Sequence, residues 1–155
     1  MTAPAGAPPG GRPYRVGVVA ACAPGAASRD AFGARWGVAA GSRYADYEAM
    51  LAREDLGLVS VCTHAALHAP VAIAAAAAGV RGVLCENAVA TSLAEADAVL
   101  AACARHGTAN REPESSGRDG RAALEIALAG HATRARGGAR VALPLADRAL
   151  RVESR

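Results

Sequence analysis

The residues of this chain best suited to chemistry fall in two short clusters, Cys62-Thr63-His64 with His68 just beyond, and Cys85-Glu86-Asn87. Imidazoles and a carboxylate can exchange protons or hold a hydroxyl, and together with thiols they are the usual ligands of metal ions. The spacing fits no standard ligand set: Cys22, Cys62, Cys85 and Cys103 are widely separated and form no C-x-x-C pair. Buried, reduced thiols are therefore expected, and neither a metal centre nor a disulfide framework. Asn87 differs in kind from its neighbours. Its amide donates and accepts hydrogen bonds but does not titrate. No neighbouring ammonium can substitute for it, because the sequence has no lysine and all 17 of its basic residues are arginine.

Both clusters follow apolar runs that should position them. Leu58–Cys62 (LVSVC) has the near-continuous apolar character of a parallel strand covered on both faces, and Gly82–Cys85 reads as the next strand. The helix between them carries Pro70 near its start, where a missing N–H is harmless, and stops at Gly79. Ser92-Leu93-Ala94-Glu95 is a capping box, after which Leu93, Ala96, Leu100 and Cys103 recur at helical spacing until Gly107. Upstream, Asp46 can cap a helix through Tyr47, Met50 and Leu51. Residues 37–107 thus alternate helix and strand, the pattern of an α/β fold with a doubly wound parallel sheet and right-handed crossovers.

The flanks read differently. Residues 1–13, rich in Ala, Pro and Gly, form a flexible leader with no apolar core of signal-peptide length. Arg15–Cys22 (RVGVVAAC) is a buried strand, and Ala26–Trp36 is a helix ended by Gly37 whose Phe32 and Trp36 should meet the sheet. Residues 108–120 are a polar loop. Residues 121–155 supply a C-terminal helix and tail, with Leu124, Leu128 and His131 on one side, an Arg121–Glu125 pair across one turn, Gly137-Gly138 as terminator and a short strand at Arg140–Leu143.

Composition bounds the function classes. A chain of 155 residues, 52% apolar but mostly Ala and Val with 3% aromatics, can bury one core of modest stability. A net charge of +3 without a basic run argues against a nucleic-acid groove. The runs 71–80 and 122–129 are too short to span a bilayer, so a cytoplasmic protein without membrane association is expected.

Three segments together carry a family resemblance: Tyr44-Ala45-Asp46-Tyr47-Glu48-Ala49-Met50-Leu51, then LVSVCTHAALHAPVAIAAAAAGV, then GVLCENAVATSLAEADAVLAAC. In order and spacing they resemble the later half of the nucleotide-binding domain of Gfo/Idh/MocA oxidoreductases. That family typically reads Y-x-D-Y-E-E-M-L, a strand ending T-P-N-x-x-H, and V-L-C-E-K-P-x-A before a T-S/N-x-x-E-A helix start. ESSGRDGRAALEIALAGHATRARGGARVALPL resembles the family's last helix and closing segment. The fold implied is a truncated Rossmann-like sheet over residues 14–107 plus a C-terminal helix.

The resemblance implies an NAD- or NADP-dependent oxidoreductase with Thr63, His64, His68, Glu86 and Asn87 along the cofactor edge. His68 reads equally as a helix-start histidine making a local hydrogen bond. Several departures weaken the catalytic side. Asn87 stands where the family carries its catalytic lysine, which supplies a proton and positive charge beside the developing alkoxide; general acid/base catalysis should fall steeply without it. The family's substrate domain, with its proton-transferring aspartate and histidine, has no counterpart between Thr108 and Glu112. The G-x-G-x-x-G turn is replaced by Cys22-Ala23-Pro24-Gly25, and Ala23 occupies the position of the ribose-binding acid. No catalytic residue is therefore assigned. Nucleotide binding is the residual activity expected; the alternative is a non-catalytic remnant or interaction module from an internally deleted gene. Exposed apolar surface would favour a homo-oligomer. For the sheet to lack an empty slot, Arg15–Cys22 should pair directly with Leu58–Cys62.

Overall fold

A computed structural model describes residues 17–108 and 117–151. The leader, the start of the first expected strand, residues 109–116 of the polar loop and the last four residues of the tail lie outside the described residues. The chain divides into two compact units, residues 1–46 and 47–155.

In the first unit, β1 (Ala21–Cys22), α1 (Ala26–Trp36), a 3-10 turn (Ala40–Ser42) and β2 (Arg43–Tyr44) follow in order. The strand expected over Arg15–Cys22 contributes only its last two residues to a ladder, because Gly17–Ala20 adopts no regular structure. β1 runs parallel to β2, with Ala21 opposite Arg43 and Cys22 opposite Tyr44. The Ala23 N–H extends this pairing by donating to the Tyr44 carbonyl at 3.0 Å. Pairing of β1 with the strand at Leu58 is thus overturned: its backbone groups find their partners locally in Arg43–Tyr44. α1 has the expected bounds, with Gly37 in the left-handed conformation (φ 71°) closing it. It packs on β1 and β2, yet its large aromatics do not enter a core. Phe32 and Trp36 are 42% and 54% exposed, packing on each other at 6.3 Å between ring centroids, and the buried residue of α1 is Gly33.

The second unit contains α2 (Tyr47–Arg53), β3 (Leu58–Val61), α3 (Ala65–Ala77), β4 (Gly82–Cys85), α4 (Leu93–His106) and α5 (Gly117–Ala135). β3 and β4 are parallel and in register from Leu58 opposite Gly82 to Val61 opposite Cys85. α3 packs on both strands, α4 on α3 and α5 on α4. One core joins Val59, Val61 and Val83 of the strands to the alanine-rich face of α3, to Leu93 and Val99 of α4, and to Leu124 and Leu128 of α5. Alanine leaves little side chain between backbones, so the strands and α3 can approach closely while each contact removes a small area from water.

Several expectations shift. β3 alternates instead of being covered twice: Val59 and Val61 are buried, whereas Leu58 is 53% exposed and its neighbour across the ladder face, Leu84, is 45% exposed. Helices cover one face of the strand pair, so only alternate residues enter the core. Pro70 lies in the second turn of α3, where it removes an N–H that the Ala66 carbonyl would have accepted from. The capping box of α4 is displaced by one residue. Ser92 Oγ accepts from the Glu95 N–H at 3.2 Å as expected, but the Glu95 carboxylate reaches back to the N–H and hydroxyl of Thr91 at 3.0 and 2.6 Å. α5 begins at Gly117, inside the expected loop, and buries Leu124, Leu128 and Ala132 while His131 faces out.

Arg140–Leu143 forms no strand; the segment instead carries the chain back to α4 and α5. Leu145 is buried and its N–H donates to Glu125 at 2.8 Å, Ala94 N–H donates to the Arg148 carbonyl at 3.0 Å, and Ser92 bridges Arg151 in antiparallel fashion. Asp97 accepts from Arg121 at 2.8 Å and also from Arg148, and the Arg121–Glu125 pair forms at 3.1 Å. Among the described residues no helix is long and apolar enough to cross a membrane.

Candidate functional site

The C-terminal ends of β3 and β4 sit side by side, and the chain leaves each strand on a short loop before its helix. Such strand ends are where open α/β sheets bind ligands, because the loops are free to vary and the following helix N-termini point at them. Here they frame a shallow groove of about 200 Å³ lined by Ser60, Cys62, Leu84, Cys85, Glu86 and Asn87. Pleating explains the lining. Residues two apart share a face, so Ser60 and Cys62 rise together, and Ser60 Oγ lies 3.4 Å from Cys62 Sγ.

Of the five residues expected along a cofactor edge, Thr63, His64, Glu86 and Asn87 are exposed. Glu86 and Asn87 line the groove itself. Thr63 Oγ donates to the His64 carbonyl at 3.2 Å, and His64 is the N-cap of α3 without a side-chain capping bond. His68 is set apart from the others: it is 2% exposed and turned into the protein. Its Nδ1 lies 2.6 Å from the Ala88 carbonyl and its Nε2 2.9 Å from the Thr63 carbonyl.

Ser60 and Leu84 were not singled out from the sequence. The signal that could have found them is the i, i+2 alternation, which places Ser60 on the face of Cys62 and Leu84 on the face of Glu86.

The thiols divide by environment. Cys103 is buried, Cys22 and Cys85 are half-buried and Cys62 is exposed, so burial holds for one of the four and in part for two. Burial, reinforced by Cys62 and the Glu86 carboxylate, pushes the Cys85 thiol up to about 11. Burial likewise raises the Cys22 thiol, with the Asp46 charge adding to the rise and Arg29 opposing it. Both therefore stay protonated and unreactive near neutral pH. Among the described residues no group of three or more His, Cys, Asp or Glu side chains could hold a metal ion.

The groove's chemistry favours a neutral hydrogen-bonding ligand over a phosphate. Glu86 places negative charge at its edge, Asn87 offers both a donor and an acceptor, and none of the lining residues is an arginine. In the first unit, the Cys22–Gly25 turn is braced from below by Arg29, which donates to the carbonyls of Ala23 and Pro24 at 2.6 and 2.8 Å. Its carbonyls, not a row of free amides, are what the turn presents to that guanidinium.

Comparison with known proteins places this geometry. The family described as an oxidoreductase family with an NAD-binding Rossmann fold, Gfo/Idh/MocA, matches residues 7–111. Among solved structures, an aldose-aldose oxidoreductase from Caulobacter crescentus, complexed with glycerol, is 26% identical with a TM-score of 0.55 over 63% of this chain and 29% of its own. The WlbA dehydrogenase from Bordetella pertussis, in complex with NADH and UDP-GlcNAcA, is 25% identical with a TM-score of 0.53 over 57% of this chain and 26% of its own. An oxidoreductase domain protein from Kribbella flavida is 36% identical with a TM-score of 0.52 over 59% of this chain and 24% of its own. This chain therefore spans 24–29% of the length of these structures. No curated protein matches. With the family matched over residues 7–111, more than half of the 155, the chain belongs to the Gfo/Idh/MocA oxidoreductase family with an NAD-binding Rossmann fold.

Proposed function

We propose that this chain holds NAD or NADP weakly, through the nicotinamide-ribose end, and does not itself turn over substrate. The observation that carries the reading is the groove at the ends of β3 and β4, bordered by Glu86 and Asn87. At about 200 Å³ it falls below the roughly 300–1,000 Å³ of a pocket that encloses a drug-sized ligand. It suits one half of a dinucleotide. Glu86 can accept from ribose hydroxyls, Asn87 can exchange hydrogen bonds with a carboxamide, and Thr63 and His64 border the same edge from the neighbouring loop. The bound nicotinamide would supply the hydride chemistry.

Catalysis is the missing half of the reading. Asn87 cannot give or take the proton that the family lysine handles, and the sequence has no lysine. The pyrophosphate and ribose-acid positions are likewise filled by Ala23, Pro24 and Gly25. We take the chain as an internally shortened member of its family, its segments 14–107 and 121–155 corresponding to part of the nucleotide domain and to the closing helix and tail.

Titration of the purified protein with NADH, followed by cofactor fluorescence or heat, tests the proposal. Saturable binding with a Kd of about 1 mM or somewhat below, an affinity of roughly 4 kcal/mol, is expected. A folded circular-dichroism spectrum with no binding at millimolar cofactor would overturn it. Asn87→Lys should not restore turnover. A second reading, a non-catalytic interaction module, is favoured by the open Leu58–Leu84 face, and a homo-oligomer detected by light scattering without NADH binding would select it.

A further inference from the structure

Thr63 and Asn87 stand on two different loops, one after β3 and one after β4, and nothing in the strand ladder beyond the Glu86 N–H bond to the Val61 carbonyl fixes one loop against the other. The buried His68 ring lies between them. Its Nδ1 faces the Ala88 carbonyl at 2.6 Å and its Nε2 faces the Thr63 carbonyl at 2.9 Å. A carbonyl oxygen only accepts, so each contact requires an N–H on the ring. A neutral imidazole serves one carbonyl at a time, and the doubly protonated ring serves both. A bond to both loops at once therefore uses an N–H on each ring nitrogen, at a side chain only 2% exposed.

We propose that His68 is a positioning residue: a strap from α3 that ties the loop bearing Thr63 to the loop bearing Asn87 and Ala88, and so sets the width of the groove between them. It acts through those loops and not by touching a ligand. On the α3 side the helix start is anchored to the first of these loops. Pro70 removes a backbone donor two residues after His68, and Leu67 N–H reaches the His64 carbonyl at 2.8 Å, so the first turns of α3 carry their bonds toward the Thr63–His64 loop. A glutamine at position 68 has its donors on a single nitrogen and cannot reproduce the two opposed directions of the ring. The strap itself is independent of any cofactor; its service to nicotinamide binding rests on the function proposed above.

Hydrogen exchange followed by NMR tests it. Two protected amides report on the loops, Leu67 on the first and Glu86 on the second. In His68→Gln both should exchange at least tenfold faster, while amides in the middle of α4 and α5 change far less. Val99→Ala serves as the comparison, because it weakens the same core without touching either loop. If His68→Gln and Val99→Ala accelerate the same amides equally, or if only one loop responds, the strap is overturned. Should His68→Gln not fold, the unmutated protein decides: protected N–H groups on both ring nitrogens are expected, and a ring carrying only one, or free exchange at both, overturns the proposal. NADH titration of the unmutated protein separately reads the cofactor proposal, so either can fail alone.

Discussion

Residues 17–46 and residues 47–151 use the same vocabulary, short parallel strands joined through helices with glycine at the ends, and reach different degrees of consolidation. In the second stretch, three helices stack on a strand pair and share one core from Val59 to Leu145. In the first, α1 buries Gly33 and leaves both of its large aromatics half in water. Helix-forming signals are local, but burial needs a partner surface of matching shape, and only the second stretch supplies one to each of its helices. Stability should therefore be carried very unequally.

The sharpest way to break that comparison is truncation of one side chain from each stretch. Leu128 is fully buried between α5 and α4, so Leu128→Ala should cost about 2–5 kcal/mol through lost transfer energy and the cavity left behind. Phe32→Ala removes a larger side chain that already faces solvent and should stay within about 0.5 kcal/mol of the parent. Urea denaturation of the full chain measures both. Comparable losses would show that α1 is consolidated after all.

Glycine substitutions sharpen the comparison at a smaller scale and with opposite signs. Gly130 sits mid-α5 with open space where a Cβ would go, so Gly130→Ala should stabilise by about 0.5–1 kcal/mol through the unfolded chain and helix propensity. At Gly33 the same methyl would come within 2.0 Å of Arg43 Nε. That guanidinium donates twice to the Val38 carbonyl, at 2.9 and 2.7 Å, and pairs with Asp30 at 3.3 Å. Arg43 must swing away and leave the carbonyl of a buried residue without its partner, so Gly33→Ala should destabilise by about 1 kcal/mol net of the helix gain. Equal effects of one sign from the two variants would mean that the Arg43 anchor contributes nothing.

What the sequence disclosed follows the same division between local and partner-dependent structure. Gly37, Gly107 and Ser92 announce helix ends because the left-handed turn and the cap depend on the residues themselves. The family segments 44–107 read correctly for the same reason that they match a family: each carries its own turn and strand chemistry. The faces of α1, β3 and α5 did not read correctly. Phe32 and Trp36 have ideal spacing for a buried face, and Leu58 has ideal chemistry for a doubly covered strand, but neither residue encodes whether a covering layer is there. β2 was missed since Arg43–Tyr44 has no apolar run to mark it. At the candidate site, residue types and positions were legible, and Glu86 and Asn87 do share a groove. For His68, the helix-start histidine with a local hydrogen bond was one of two readings, and the Thr63 carbonyl five residues back fits it; the contact with the Ala88 carbonyl 20 residues on was not legible, because a backbone acceptor leaves no trace in side-chain sequence.

The smallest expected effect concerns how the closing segment is held, and it too separates the two stretches. Glu125 is held below its ordinary value chiefly by the Leu145 N–H, against the upward push of burial and with Arg121 and Arg148 adding to the lowering. For Asp97 and Glu95 burial works upward, but it is outweighed: by Arg121 and Arg148 at Asp97, and by the Thr91 N–H and hydroxyl with Arg151 at Glu95. A carboxylate whose folded value lies below its unfolded one stabilises the fold above the unfolded value and loses that contribution as pH falls through the folded value. The denaturation midpoint should thus be flat from neutral pH down to about 5 and decline below it, through the ordinary carboxylate range and under it. These groups are partly solvated and their pairs are weakened by salt, so the decline should be gentle and shallower still at high ionic strength. NMR locates the event. The amides of Leu145 and Ala94, which bond to Glu125 and to the Arg148 carbonyl, should shift together on acidification, whereas the Ala23 amide bonded to the Tyr44 carbonyl should not follow them. Asp97→Asn should reduce the acid sensitivity of the midpoint. An unchanged curve in that variant, or a Leu145 amide indifferent to pH, would mean that the closing segment is held by burial of Leu145 alone.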